Sequence, residues 1–139
     1  MNYIYVYSGF YYDGVTISNT GVNYFGLSSV SSISAVVGQG VLHSTANLSV
    51  VTAYNIDNKI DDGLPQSGRV MAWYLDGAQF WTDGLSASYI PGEPVPNLGA
   101  ISGSATTCYD NNGTAGTQHY SMGQNNGTGP NCALSFQFH

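Results

Sequence analysis

Hydrophobic and polar residues alternate at the start of the chain in the pattern of an extended strand. The tyrosines share one face and the aliphatic residues share the other: Tyr3, Tyr5 and Tyr7 against Ile4 and Val6. Asp13-Gly14 is a turn signal, after which residues 15–17 predict a strand that pairs back. The sequence therefore predicts an N-terminal hairpin whose tyrosine face covers a sheet, or else contacts a sugar or a neighbouring subunit.

A pattern with helical spacing follows further along the chain. Apolar residues recur at intervals of two to four positions and predict a helix over residues 45–62. These residues are Leu48, Val51, Ala53, Ile56 and Ile60. Thr45 or Asn47 is the expected N-cap, Gly63 the expected left-handed stop, and Pro65 prevents the helix from resuming. Asp57 is expected to face away from the apolar side.

A shorter helix is predicted over residues 27–37. Leu27, Val30, Ile33 and Val37 lie at near-helical spacing, and Gly38 ends the run. Serine and valine are mediocre helix formers, so the spacing of the apolar residues is the main argument for this element.

The second half of the chain predicts strands. Residues 70–75 are apolar enough for a central strand, and Asp76-Gly77 then turns the chain into residues 79–82. Further strands are predicted at residues 85–90 and, as an edge strand, at 100–109. Residues 91–99 form a proline-rich connection and residues 110–131 a polar loop. At the end, Leu134, Phe136 and Phe138 are expected to point inward, with Ser135, Gln137 and His139 outward.

Together these elements predict an α+β fold, rich in β-structure, in which one helix packs on an antiparallel sheet. With 139 residues and no repeat, the chain is expected to form a single domain over residues 1–139. Its predicted parts are a tyrosine- and serine-rich segment at 1–44, the helix at 45–62, and the sheet with its polar loop at 69–139.

Three aspartates near the end of the helix break a local rule. Asp61 and Asp62 lie where the helix dipole disfavours carboxylates, and Asp57 and Asp61 repel each other at a spacing of four residues. One of them is expected to close the turn formed by Asp62, Gly63, Pro65 and Gly68 through an Asx-turn, with Gln66 exposed. A calcium ion bound by the three carboxylates, or contact with a neighbouring subunit, are the alternatives.

Other candidates for chemistry are few. Asp110 opens a run of oxygen-bearing side chains that could bind calcium, although the twelve-residue calcium-loop pattern is missing and a solvated turn is favoured. His43, His119 and His139 show no metal-ligand spacing, and no serine lies in a GxSxG motif. The sequence therefore predicts no catalytic or cofactor-binding residue, and a protein that is not an enzyme.

The charge balance excludes some partners. Formal net charge is −6, and Lys59 and Arg69 are the sole basic residues besides histidine. Without a basic stripe to neutralise phosphates, neither a nucleic acid nor an anionic membrane surface is an expected ligand. No run approaches the roughly 20 apolar residues of a membrane span, and residues 1–15 do not form a signal peptide. The sequence therefore reads as a processed or trimmed chain, or one exported by means it does not show. Low charge also makes packed self-assembly easier.

The two cysteines allow one intramolecular pair. Cys108 and Cys132 flank a glycine- and asparagine-rich stretch that would be flexible without a crosslink. This setting favours a disulfide between them.

Two stretches carry a resemblance to a known family. Residues 56–70, reading IDNKIDDGLPQSGRV, resemble the junction between the long helix and the head-domain sheet of type IV pilin-like proteins, including type II secretion pseudopilins. Residues 107–109 and 131–136 resemble the C-terminal region of these proteins, where a disulfide brackets a polar loop before the last strand. The resemblance covers roughly the last two-thirds of the chain.

The resemblance implies a structural role. It predicts a subunit of an extracellular type IV pilus-like filament or a pseudopilus, with other pilin-like subunits as partners and a surface loop closed by Cys108–Cys132. The hydrophobic N-terminal helix of that family is not in this sequence. The expected membrane link is therefore a removed N-terminal helix or a separate short helical chain, and the isolated chain is expected to be monomeric. The alternative is a secreted β-rich module that binds glycans or acts as an adhesin.

Overall fold

The fold is taken from a computed structural model that describes residues 2–12, 17–36, 39–75, 79–81 and 98–138. It contains one α-helix and several antiparallel sheets, which confirms the α+β, β-rich class. In chain order the elements are β1 Asn2–Tyr12, β2 Ile17–Val36, β3 Gln39–Thr45, α1 Val50–Ile60, β4 Val70–Met71, β5 Trp73–Leu75, β6 Gln79–Trp81, β7 Tyr109–Asp110, β8 His119–Tyr120, a 3-10 turn Asn125–Gly127, and β9 Leu134–Phe138.

Strands β1 and β2 form the predicted N-terminal hairpin. Their register runs from Asn2 opposite Ser29 to Tyr12 opposite Ile17, with an irregularity between Ser8 and Phe10. The predicted turn at residues 13–14 lies outside the described residues.

The predicted helix at 27–37 is wrong, because residues 17–36 form the single long strand β2. Strand β2 pairs with β1, β9 and β3, so most of its backbone hydrogen-bonding groups are satisfied by neighbours. β-branched valine and isoleucine fit this pleated surface, and the tertiary pairing overrides the helical spacing.

The main sheet has the order β1-β2-β9-β4, with β3 also paired to β2. Ser29 of β2 faces Asn2 of β1 and Thr45 of β3, so β3 lies on the same edge of β2 as β9. The final strand is confirmed, but Ser135 is buried, 1% exposed, rather than outward. Strand β9 lies inside the sheet, and both of its faces are covered at this position. His139 lies outside the described residues.

Helix α1 is shorter than predicted and is capped at a different residue. It begins at Val50 because the Ser49 side chain accepts a hydrogen bond from the Thr52 backbone nitrogen, whereas Thr45 ends β3. Asn47 instead donates its backbone N–H to the Cys132 carbonyl. The buried positions of the helix are Val50, Ala53 and Asp57, while Ile60 is 62% exposed, so the buried stripe is rotated from the predicted one.

The segment after the turn is a broken strand. Strands β4 and β5 are separated at Ala72, whose N–H donates to the Pro65 carbonyl instead of a sheet neighbour. Strands β5 and β6 pair as predicted. The predicted turn at 76–77, residue 82, the strand at 85–90 and most of the connection at 91–99 lie outside the described residues.

The predicted edge strand at 100–109 is also wrong. Strand structure is confined to Tyr109–Asp110, which pairs with His119–Tyr120. Ser104, Thr106 and Thr107 hydrogen-bond to one another's backbone or hydroxyl groups and hold a turn, as short polar side chains do when they compete with a strand ladder.

Candidate functional site

The candidate site is the aspartate-bearing turn between α1 and β4, together with the disulfide-bonded loop against it. The turn depends on two glycines with left-handed backbone angles, Gly63 at φ +74° and Gly68 at φ +72°. A Cβ at Gly68 would collide with a carboxylate oxygen of Asp61. The turn therefore brings Asp61 directly against the backbone where the sheet begins.

Asp61 and Asp62 satisfy the backbone of this turn. Asp62 forms an Asx-turn, accepting from the Leu64 N–H at 2.8 Å, and its second oxygen accepts from the Ser67 hydroxyl at 2.6 Å. One oxygen of Asp61 accepts the N–H groups of both Arg69 and Val70. These bonds explain why carboxylates are tolerated at the unfavourable end of the helix dipole.

Asp57 is fully buried, contrary to the prediction that it faces outward. Its carboxylate accepts a 2.8 Å hydrogen bond from the Tyr120 hydroxyl and a 3.3 Å bond from the Gly63 N–H. Burial raises the pKa of Asp57 to about 6, because desolvation outweighs these two hydrogen bonds, and the nearby charges of Asp62 and Asp61 raise it further. Desolvation and the Asp57 charge raise the pKa of Tyr120.

The three carboxylates lie close enough together to bind one cation, but their arrangement does not show that a cofactor binds. Oxygens of Asp57, Asp61 and Asp62 lie within 4.8 Å of one another. Most of their oxygens already accept hydrogen bonds from the protein, as a structural turn requires. A calcium ion here would compete with those bonds, and calcium binding stays a prediction.

Asp110 does not join this cluster. Its carboxylate accepts from the Asn112 N–H at 3.2 Å and from the Ser121 hydroxyl. Ser121 in turn lies 3.0 Å from the Thr107 hydroxyl. Asp110 therefore organises the β7–β8 hairpin from within, and calcium binding at Asp110 stays a prediction.

The predicted Cys108–Cys132 disulfide is present. The two cysteines are 24 residues apart in sequence, and both are fully buried in the core beside α1 and β9. The Asn131 side chain donates to the Ala105 and Thr107 carbonyls on the other side of the loop. The disulfide therefore anchors both ends of the loop at residues 109–131 in the hydrophobic core.

Sequence reasoning missed two groups that hold this region. Tyr120 reaches Asp57 across 63 residues, and no local pattern signals the contact. Gln66, expected to be exposed, is 3% exposed, and its side-chain amide donates to the Pro65 carbonyl at 2.9 Å. The buried Gln66 amide thus supplies a hydrogen-bond donor to a backbone carbonyl, as buried polar groups generally require.

The sheet also presents an apolar face that α1 covers unevenly. The register places the following residues on one face: Ile4, Phe25, Leu27, Val70, Leu134, Phe136 and Phe138. Val70 and Leu134 are 1% and 0% exposed, whereas Phe25 is 38% and Ile4 73% exposed. Phe25 stacks on Phe138 with ring centroids 4.2 Å apart. We call the part formed by Ile4, Phe25 and Phe138 the open apolar face.

In the described part of the chain, no helix has the length and apolar character needed to cross a membrane. Comparison of the whole chain with protein-family models, with curated proteins and with solved structures finds no significant match.

Proposed function

We propose that this chain is the globular head of a type IV pilin-like subunit, which serves a structural role in an extracellular filament or pseudopilus. The supporting arrangement is a helix packed on an antiparallel sheet, a glycine- and proline-containing turn between them, and a polar loop closed by a disulfide. The sequence resemblance at residues 56–70, 107–109 and 131–136 falls on the same parts.

The observation that carries the proposal is the unequal cover of the sheet. Helix α1 has 11 residues and reaches the part of the sheet that contains Val70 and Leu134. The open apolar face extends beyond it, with Phe25 and Ile4 exposed. Exposed contiguous apolar surface is typical of an interaction site. A second, apolar helix fits this surface, supplied by a separate short chain or by a helix joined to this one.

The test is incorporation into filaments by the producing cells. Phe25→Ser removes an aromatic ring from the open apolar face and should lower the amount of this chain in sheared surface filaments. Ile60→Ser is the matched control, because Ile60 is 62% exposed on the far end of α1. Both variants should show wild-type circular dichroism. Mass spectrometry of the wild-type filaments should find either a separate short apolar chain or an apolar segment joined to this chain.

Two outcomes would contradict the proposal. Spontaneous fibres from the purified chain alone would show that no helical partner is needed. Saturable binding of a glycan by a chain that never enters filaments would instead favour the secreted glycan-binding module.

A further inference from the structure

In the part of the chain that the structure describes, no strand pairs with the outer edge of the long first strand. Strand β1 forms one end of the main sheet, and β2 is its sole partner among the described residues. Residues 2–8 run in continuous register against β2 from Asn2–Ser29 to Ser8–Asn23. Seven residues of strand span about 24 Å. The outer edge therefore presents a row of backbone N–H and C=O groups that can extend the sheet.

Two of the usual protections of an edge strand, proline and charge, are missing from residues 2–12, and the irregularity in β1 lies beyond residues 2–8, between Ser8 and Phe10. Natural edges are kept short, interrupted by proline, or carry charged side chains. Residues 2–12 contain neither proline nor a formally charged residue, and Asp13 is the one aspartate, glutamate, lysine or arginine in residues 1–56. The opposite end of the sheet contrasts with this, since β4 has two residues that are 1% and 7% exposed.

We propose that β1 pairs edge to edge with β1 of a second copy of this chain. The strand is rich in tyrosine and β-branched residues and carries no charge, so two antiparallel copies meet without repulsion. It also offers no charge for a charged partner to recognise. Pairing between identical edges is isologous and closes at a dimer, so it does not by itself propagate a fibre.

This pairing is separate from the proposed filament role. A closed dimer joins two heads, and in a filament it would connect subunits of neighbouring filaments side by side. The resemblance to pilin-like heads predicts an isolated monomer, because in that family the filament is held together by hydrophobic helices. The position of β1 at the end of a sheet could not be predicted from residues 2–12. The open edge changes that expectation to a weak dimer.

The test is sedimentation equilibrium of the full chain up to millimolar concentration, with three variants. Ile4→Lys places a charge on the edge at a residue that is 73% exposed and should weaken the dimer roughly tenfold, because both copies carry the change. Ile60→Lys is the charge-matched control on α1 and should leave the dimer unchanged. Phe25→Ser changes the same open apolar face, to which Ile4 also belongs, but at a residue of β2, one strand away from the edge, and should also leave the dimer unchanged.

Amide hydrogen exchange of the wild-type chain gives a second readout that needs no variant. With rising concentration, exchange should slow at alternate residues of 2–8, whose N–H groups point away from β2. A wild-type chain that stays monomeric throughout, or equal effects of Ile4→Lys and Ile60→Lys, would overturn the proposal. A loss of association in Phe25→Ser as large as in Ile4→Lys would also overturn it, by assigning the contact to the sheet face.

Discussion

The Tyr120 hydroxyl donates a 2.8 Å hydrogen bond to the buried carboxylate of Asp57, joining residues 63 positions apart. Tyr120 lies in the loop closed by the disulfide, and Asp57 lies on α1 beside the turn that leads into the sheet. Asp57 also accepts the Gly63 N–H. One carboxylate thus fixes the helix, the turn and the loop relative to one another.

Removing the Tyr120 hydroxyl should destabilise the protein. Tyr120→Phe leaves the buried Asp57 carboxylate without its hydroxyl donor, and losing a hydrogen bond to a charged group costs about 1.5–3 kcal/mol. Urea unfolding measures this free energy. Tyr54→Phe is the control, because Tyr54 packs edge-on against Tyr120 with ring centroids 6.0 Å apart and loses the same atom. An equal loss of unfolding free energy in the two variants would show that the Tyr120–Asp57 hydrogen bond does not stabilise the fold.

Stability should depend on pH through Asp57. Its pKa is about 6 in the folded protein and 3.8 ordinarily, so the folded state retains a proton that the unfolded chain releases between these values. The stabilisation that the folded protein gains from holding the Asp57 proton is fully present below about pH 4 and is lost as pH rises through 6. Between pH 7 and pH 5 the free energy of unfolding should therefore rise by about 1 kcal/mol from this group.

Asp57→Asn isolates this contribution from the other carboxylates. The amide cannot ionise, so the difference in unfolding free energy between wild type and variant should be constant below about pH 4 and change across pH 5–7. Urea melts at several pH values measure it. A difference that is constant from pH 4 to pH 8 would mean that the Asp57 pKa is not raised.

The disulfide should stabilise the fold by about 3–4 kcal/mol, the chain-entropy value for a loop of this length. Free-thiol titration of the unfolded, unreduced protein should find no reactive thiol, since Cys108 and Cys132 are bonded to each other. In a double serine variant, hydrogen exchange should accelerate first in residues 109–131 and leave α1 protected. Faster exchange throughout α1 at the same time would show that the loop is not a separate unit.

Gly68 should tolerate no side chain. Gly68→Ala forces a left-handed backbone on alanine, at about 1–2 kcal/mol, and pushes its Cβ into Asp61. Displacing Asp61 also breaks its bonds to the Arg69 and Val70 N–H groups, so a total loss of about 2–4 kcal/mol is expected. Gly123→Ala is the control, because its Cβ would meet nothing within 4 Å. Thermal melts that rank the two variants equally would refute the structure of this turn.

Features set by local chemistry were predictable from the sequence. The helix, the N-terminal hairpin and the final strand follow from spacing and turn residues. The helix ends at Ile60 with Asp61 as its C-cap, so Gly63 is a left-handed residue of the turn and not the predicted helix stop. The fold class follows from these elements. Predicting the Cys108–Cys132 bond was possible because the chain has two cysteines and flexible residues between them.

Features set by distant contacts were not predictable. Residues 27–37 have helical spacing, yet pairing with strands from both ends of the chain makes residues 27–36 part of β2. The sequence predicts Asp57 and Gln66 to be exposed because no local pattern signals their partners. Asp57 is bonded to Tyr120, and Gln66 to the carbonyls of Pro65 and Ala72. Ser49 caps α1 because β3 and the Cys132 contact occupy the residues before it.

The most direct test of the filament proposal is a cryo-electron microscopy map of surface filaments that contain this chain. In that map an apolar helix, from a separate chain or covalently joined to this one, should cover Ile4, Phe25 and Phe138 of each head. Residues 109–131 should lie on the filament surface. A map in which Ile4, Phe25 and Phe138 face solvent, with heads joined through other surfaces, would contradict the account.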